Sequence, residues 1–146
     1  MKASVEYLKI REAKLEDYPE LREIFLASRR ENFHWADANE MALGDFDKQT
    51  EKEFILLAEE NTIILGFTAL YLPDNFIHHL FVHPDHAGKG VGRQLLDAAI
   101  ESMRKPIRLK CVSANHKALK FYENNGWERV VEEEKHGEKY WVMEFR

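Results

Sequence analysis

Apolar and polar residues alternate through residues 7–13 (YLKIREA), which predicts a half-buried strand. The period then lengthens. Leu15, Tyr18, Leu21, Ile24, Phe25 and Ser28 recur at helical spacing, so a helix is expected to run to about Arg29. Asp17 stands three residues ahead of Glu20, with Pro19 in the first turn, and reads as the capped start of that helix. Residues 30–50 have no clean period and are expected to form a loop with short helical pieces. Residues 53–60 (EFILLAEE) and 63–73 (IILGFTALYLP) predict two strands joined by a turn at Asn61-Thr62. Residues 75–84 (NFIHHLFVHP) are almost continuously apolar, as a strand buried on both faces would be.

A helix of about 13 residues comes next, with Val91, Leu95, Leu96, Ala99, Ile100 and Met103 along one stripe. After Pro106, IRLKCV is a strand. Asn115 opens a further helix, NHKALKFYENNG, which Gly126 stops. WERVVEEE and KYWVMEF then pair as a hairpin over His136-Gly137. There are no repeats or linkers. Residues 1–146 therefore read as one α/β (α+β) domain with a mixed central sheet.

Composition adds exclusions. Hydrophobic residues make up 45% of the chain, too many for a disordered segment and enough for a real core. Net charge is −5, which argues against nucleic acid as the main partner, although a local basic patch can still take a small phosphorylated ligand. No stretch is long and apolar enough for a membrane span, and MKASVEYLKIREA lacks the core of a secretory signal. Cys111 has no partner for an internal disulfide. A cytoplasmic protein is expected.

The candidate chemistry begins at Gly88, Gly90 and Gly92, which stand two apart between a strand and a helix. A nucleotide-hydrolase phosphate loop fails on spacing, because Lys89 has glycine on each side and no hydroxyl residue follows. A dinucleotide fingerprint fails too. Its third glycine would be Arg93, and its acidic residue would fall near Arg108. What remains is a loop of open amides feeding a helix, able to hold a pyrophosphate with help from Lys89 and Arg93. The plain alternative is a tight turn without a ligand.

At this point the sequence resembles the GNAT N-acetyltransferase superfamily. LFVHPDHAGKGVGRQLL is similar to its acyl-CoA pyrophosphate loop, [Q/R]-x-x-G-x-[G/A] after a strand ending in V-x-P. SANHKALKFYENNGWE is similar to its N-x-x-A-x-x-[FL]-Y-x-x-x-G-[FW] segment, through Asn115, Ala118, Phe121, Tyr122, Gly126 and Trp127. Ala87 departs from the usual Arg or Gln, which removes one side chain near the phosphates and leaves the backbone cradle.

The resemblance implies a GNAT-like mixed sheet of about six or seven strands with helices on both faces. It also implies direct acetyl transfer from acetyl-CoA to a primary amine of a small molecule or a lysine-like or peptide acceptor. A catalytically silent acyl-CoA-binding or sensing module is the alternative. Cofactor contacts are expected from Leu80, Phe81, Val82, Gly88, Lys89, Gly90, Val91, Gly92, Arg93 and Asn115. Tyr122 sits where the family commonly donates a proton to sulfur, a role compatible with packing the helix on the sheet. His78 is the candidate base, direct or through water, and otherwise a substrate contact or a core residue. Strand alternation would place it beside Phe76, Leu80 and Val82, with His79 on the opposite face. Lys110 stands where another variant of the family has a glutamate base. Family habit allows a homodimer.

No metal is expected, because His78, His79, His83 and His86 cannot all converge from one strand and turn. A buried strand cysteine such as Cys111 is expected to be inert. Phe33, His34, Trp35 and Phe46 could line an acceptor pocket, with Glu31, Asp37, Glu40, Asp45 and Asp47 attracting a cationic amine. The alternative for this segment is an amphipathic cover whose acids face water.

Overall fold

Two tight turns set the pairing of the sheet. Asn61 and Thr62 both adopt positive φ (50° and 69°) and join β2 (Phe54–Glu60) antiparallel to β3 (Ile63–Tyr71). His136 and Gly137 (52° and 81°) do the same between β6 (Glu128–Lys135) and β7 (Glu138–Phe145). With β1 (Lys9–Glu12), β4 (Phe76–Val82) and β5 (Ile107–Val112), the computed structural model forms a seven-stranded sheet in the order β1-β2-β3-β4-β5-β7-β6. It describes residues 8–33 and 36–146.

Only β4 and β5 pair in parallel among the described residues, and that connection needs a crossover. Helix α3 (Val91–Glu101) supplies it. Its stripe of Leu96 and Ala99 packs with Leu119 of α4 (His116–Asn124) against Leu56, Leu70, Ile77, Leu109 and Met143. Helix α1 (Tyr18–Asn32) and the short α2 (Asp45–Gln49) cover the other face, where Leu21, Ile24, Phe25 and Phe46 meet Ile55, Leu57, Phe67 and Ala69. Burying these side chains on both faces is the main driving force for the fold. No helix among the described residues is long and apolar enough to cross a membrane.

The start of α1 differs from expectation. A 3-10 turn at Leu15–Asp17 precedes it, and Asp17 makes no side-chain cap. Its carboxylate turns back instead, accepting from the Lys14 N–H at 2.7 Å and from both terminal nitrogens of Arg11 at 2.9 Å. A bidentate charge-assisted pair outcompetes a neutral amide for the same oxygens. Leu15 lies off the helix stripe as a result and is 81% exposed. The helix also continues one turn past Arg29, to Asn32.

Strand β4 is not buried on both faces either. Ile77 alone is fully covered. After the rungs Phe76↔Arg108 and Ile77↔Leu109, the β4–β5 ladder ends and the two strands part.

Candidate functional site

The parting of β4 and β5 opens a cleft of about 430 Å³. One wall is the outer half of β4. His83 N–H donates to Leu65 O at 2.9 Å, and His79 O accepts from Thr68 Oγ1 at 2.7 Å, so odd-numbered residues turn their peptide groups toward β3. By strand alternation, Leu80 and Val82 turn theirs toward the side that β5 has left. These are free strand-edge groups.

The floor is the glycine loop. Gly88 and Gly90 have φ of 80° and 82°, a region that L side chains disfavour. Gly90 is the N-cap of α3, which has no side-chain cap. Gln94 is the first residue of the helix whose N–H reaches an intrahelical carbonyl (Gly90 O, 3.2 Å), so the amides of Val91, Gly92 and Arg93 are left over. The first turn carries no acid and one cation, Arg93, which opposes the helix dipole unless an anion sits there. Gly92 differs from the other two. It is helical, and a Cβ there would meet Phe121 and Val82 at an ordinary 3.6 Å.

The opposite wall is α4. Asn115 Oδ1 accepts from Ala118 N–H at 3.1 Å, which caps the helix and leaves the side-chain amide free to donate. Tyr122 and Phe121 line the cleft with it. Burial pushes the Tyr122 phenol upward, with Cys111 adding to the shift, so it holds its proton at neutral pH. Cys111 is buried and its thiol is pushed up to about 12, mainly by desolvation, which keeps it out of nucleophilic chemistry.

Leu80, Phe81, Val82, Gly88, Gly90, Val91, Gly92, Arg93, Asn115, Tyr122 and Phe33 all line this one cleft. Lys89 does not. Its ammonium turns to His86 Nδ1 at 3.5 Å. Trp35 and His34 lie outside the described residues. Phe46 is fully buried beneath α1, and Asp45 and Asp47 are taken by Arg29 and Arg22, so none of the three faces an acceptor. Asp37 accepts from Asn39 N–H. Glu31 does reach the cleft, beside Phe33, whose ring packs on Phe81 at 5.8 Å.

His78 requires a correction. Ala69 pairs with His79 and Leu70 with Ile77, so His78 is the extra residue of a β-bulge. The bulge breaks the two-residue alternation. Ile77 and Leu80 face α3 and α4, whereas His79 and Phe81 pack on Phe25 of α1 and the His78 ring stacks on His79. His78 therefore does not share a face with Leu80 and Val82, and it does not line the cleft. Its Nδ1 contacts Glu53 Oε1, a partner 25 residues away that no local pattern marks. Missed as well were Lys117 and Phe121, which line the cleft from the first and second turns of α4. Amphipathic spacing in that helix could have found Phe121.

The acetyltransferase (GNAT) family profile matches residues 10–127. The chain belongs to this family. An uncharacterized N-acetyltransferase of Bacillus subtilis, YhfO, is 35% identical over 92 residues, or 55% of this chain and 62% of that one. The L-amino acid N-acyltransferase MnaT of Escherichia coli is 37% identical over 57 residues, 34% of this chain and 33% of that one. The matches thus span less than two thirds of these relatives. A GCN5-related N-acetyltransferase from Rhodopseudomonas palustris superposes with a TM-score of 0.81 at 22% identity, over 99% of this chain and 98% of that one. PaiA N-acetyltransferase from Thermoplasma acidophilum, solved with coenzyme A, gives 0.75 at 20% identity over 95% and 98%. These structures establish that the seven-stranded sheet with helices on both faces is the GNAT fold.

Proposed function

We propose that this chain is an acetyl-CoA-dependent N-acetyltransferase that moves the acetyl group directly to a primary amine. One observation carries the reading. A single cleft joins an uncapped helix start, a free strand edge and a protonated tyrosine. The amides of residues 90–93 bind the pyrophosphate, and Arg93 adds charge. The Val82 and Leu80 edge takes the pantetheine arm as an added strand, and the Asn115 amide group donates from across the cleft.

The amine nitrogen attacks the thioester carbonyl carbon, the C–S bond breaks, and an amide bond replaces it. Leu80 N–H donates to the carbonyl oxygen as negative charge builds there. Tyr122 gives its proton to the departing sulfur. His78 stands outside the cleft, so it takes the proton of the incoming amine only through a chain of waters. A carboxylate only accepts, so Glu53 fixes the His78 proton on Nδ1 and leaves Nε2 outward.

The acceptor is a small amine or a lysine-like or peptide amine. Glu31 at the cleft mouth attracts its charge and Phe33 packs its body. MnaT, by its name, works on L-amino acids, and another relative, from Salmonella typhimurium, is an L-methionine sulfoximine/L-methionine sulfone acetyltransferase, which favours the small amine. The setting is the cytosol. Calorimetry with coenzyme A and acetyl-CoA, followed by thiol release against an amine panel, tests the proposal. No heat with either ligand removes it. Binding without transfer to any amine makes the chain an acyl-CoA-binding module instead.

A further inference from the structure

The bulge in β4 does more than turn His78. It stacks the His78 and His79 rings with centroids 3.9 Å apart, both beside the carboxylate of Glu53 from the foot of β2. Candidate donor atoms of all three residues lie within 4.8 Å of one another. The Glu53 side chain is only 6% exposed, and His78 is 42% exposed.

Two of the donor atoms are stranded. Glu53 Oε2 and His79 Nε2 are both buried without a hydrogen-bond partner. His79 is packed among Phe25 and Phe81, and the Gln49 backbone carbonyl serves its ring. Since Nε2 has no partner, that carbonyl holds the proton on Nδ1 and turns the Nε2 lone pair inward. Glu53 Oε2 and the His79 Nε2 lone pair are then two buried acceptors without a donor. Leaving such groups unpaired is costly, and a cation between them removes the conflict. Arg29 is not that cation, because it lies over the Phe25 ring at 3.9 Å and pairs with Asp45.

We propose that Glu53, His78 and His79 bind a divalent transition-metal ion of the zinc class. Two imidazoles and one carboxylate form a donor set suited to zinc, cobalt or iron, with positions left for water. Backbone hydrogen bonding of the second His79 nitrogen is the usual support of a metal-bound histidine. Donor atoms around zinc sit about 3.3 Å apart, given bonds of about 2.0–2.1 Å. The donor atoms must draw in to that spacing, with the ion displacing the Nδ1 proton that His78 shares with Glu53, and the exposed His78 ring leaves a route in from solvent. Four histidines of strand and turn still do not converge. The set is completed by a carboxylate from another strand, which spacing along β4 could not reveal.

The site stands without the acetyl-transfer reading. If His78 is also the base, as proposed above, metal and substrate proton compete for it, and the ion suppresses turnover.

The test uses the full chain, stripped with a chelator and titrated with cobalt(II), followed by visible absorption and calorimetry. One equivalent is expected, with ligand-field bands of a nitrogen- and oxygen-bound ion. Glu53→Gln and His79→Gln should each weaken cobalt by at least about 10-fold, the scale that even outer-sphere partners command. His116→Gln, on the exposed start of α4, should leave it unchanged. Circular dichroism checks that the variants fold. If His79→Gln does not, Glu53→Gln and the exposed His78→Ala decide. Millimolar binding, or wild-type affinity in the folded variants, overturns the site and leaves water as the bridge. Tight cobalt binding with unaltered turnover confirms the site and instead removes His78 as the base.

Discussion

Ile77 faces Leu109 on the last rung between β4 and β5, and everything proposed for the thioester happens on the strand edge just beyond it. Leu80 N–H points into that gap and belongs to no ladder. Leu80→Pro should therefore remove a donor without breaking the sheet, because proline is tolerated where the missing N–H is not paired. If that amide polarises the thioester carbonyl, turnover falls by about 10²–10³-fold. Leu80→Ala, which keeps the N–H and loses only packing, should cost far less. Equal losses in the two variants would mean that the side chain matters and the amide does not.

Tyr122 stands across the cleft with its phenol pushed upward by burial. Tyr122→Phe keeps the ring contacts with Phe121 and Trp127 and deletes only the hydroxyl. Turnover should fall by about 10²-fold with coenzyme A affinity and thermal midpoint nearly constant. Turnover equal to wild type would reduce Tyr122 to a packing residue.

The three glycines look alike in sequence and separate in structure. Gly90 has φ of 82°, so Gly90→Ala strains the fold by about 1–2 kcal/mol whatever it does to the ligand. Gly92 is helical with ordinary room for a methyl group, and Gly92→Ala should leave stability equal or slightly higher. Any loss of coenzyme A affinity in Gly92→Ala then reports the close approach of a ligand to the backbone. Calorimetry beside chemical denaturation separates the two effects. Unchanged affinity in Gly92→Ala would restrict the cradle to Gly88 and Gly90.

Periodicity revealed those parts of the fold whose signals are local. The Asn61-Thr62 and His136-Gly137 turns, the Gly88–Gly92 loop and the Asn115 cap each depend on neighbours within a few residues. The failures all involve a distant competitor. Asp17 abandons its helix cap for Arg11 on β1, and Asp45 and Asp47 leave the cleft for arginines of α1. Phe46, expected among the pocket residues, is buried by α1 packing over α2. The β4 bulge is the sharpest case. One unpaired residue inverts the faces of His78 and Leu80, and alternation alone cannot report it. Glu53 was invisible for the same reason, being brought to His78 only by the pairing of β2, β3 and β4.

The Arg11–Asp17 pair gives the fold an acid limit. The Arg11 hydrogen bonds, then the Lys14 N–H and the Arg11 charge, hold Asp17 below its ordinary value of 3.8 against a desolvation cost that acts the other way. A carboxylate whose folded pKa is depressed binds its proton more readily in the unfolded chain. Its contribution is fully present above about pH 4 and is lost as pH falls through the folded value. Asp17→Asn should cost about 1–3 kcal/mol at pH 7, toward the lower side because Arg11 keeps its second partner, Glu59. The same variant should lose less stability than wild type between pH 5 and about 2. Urea midpoints measured across that range would show the two curves converging as the pH drops. Curves that stay parallel would mean that the pair contributes no proton linkage and that the Asp17 carboxylate acts only by shape.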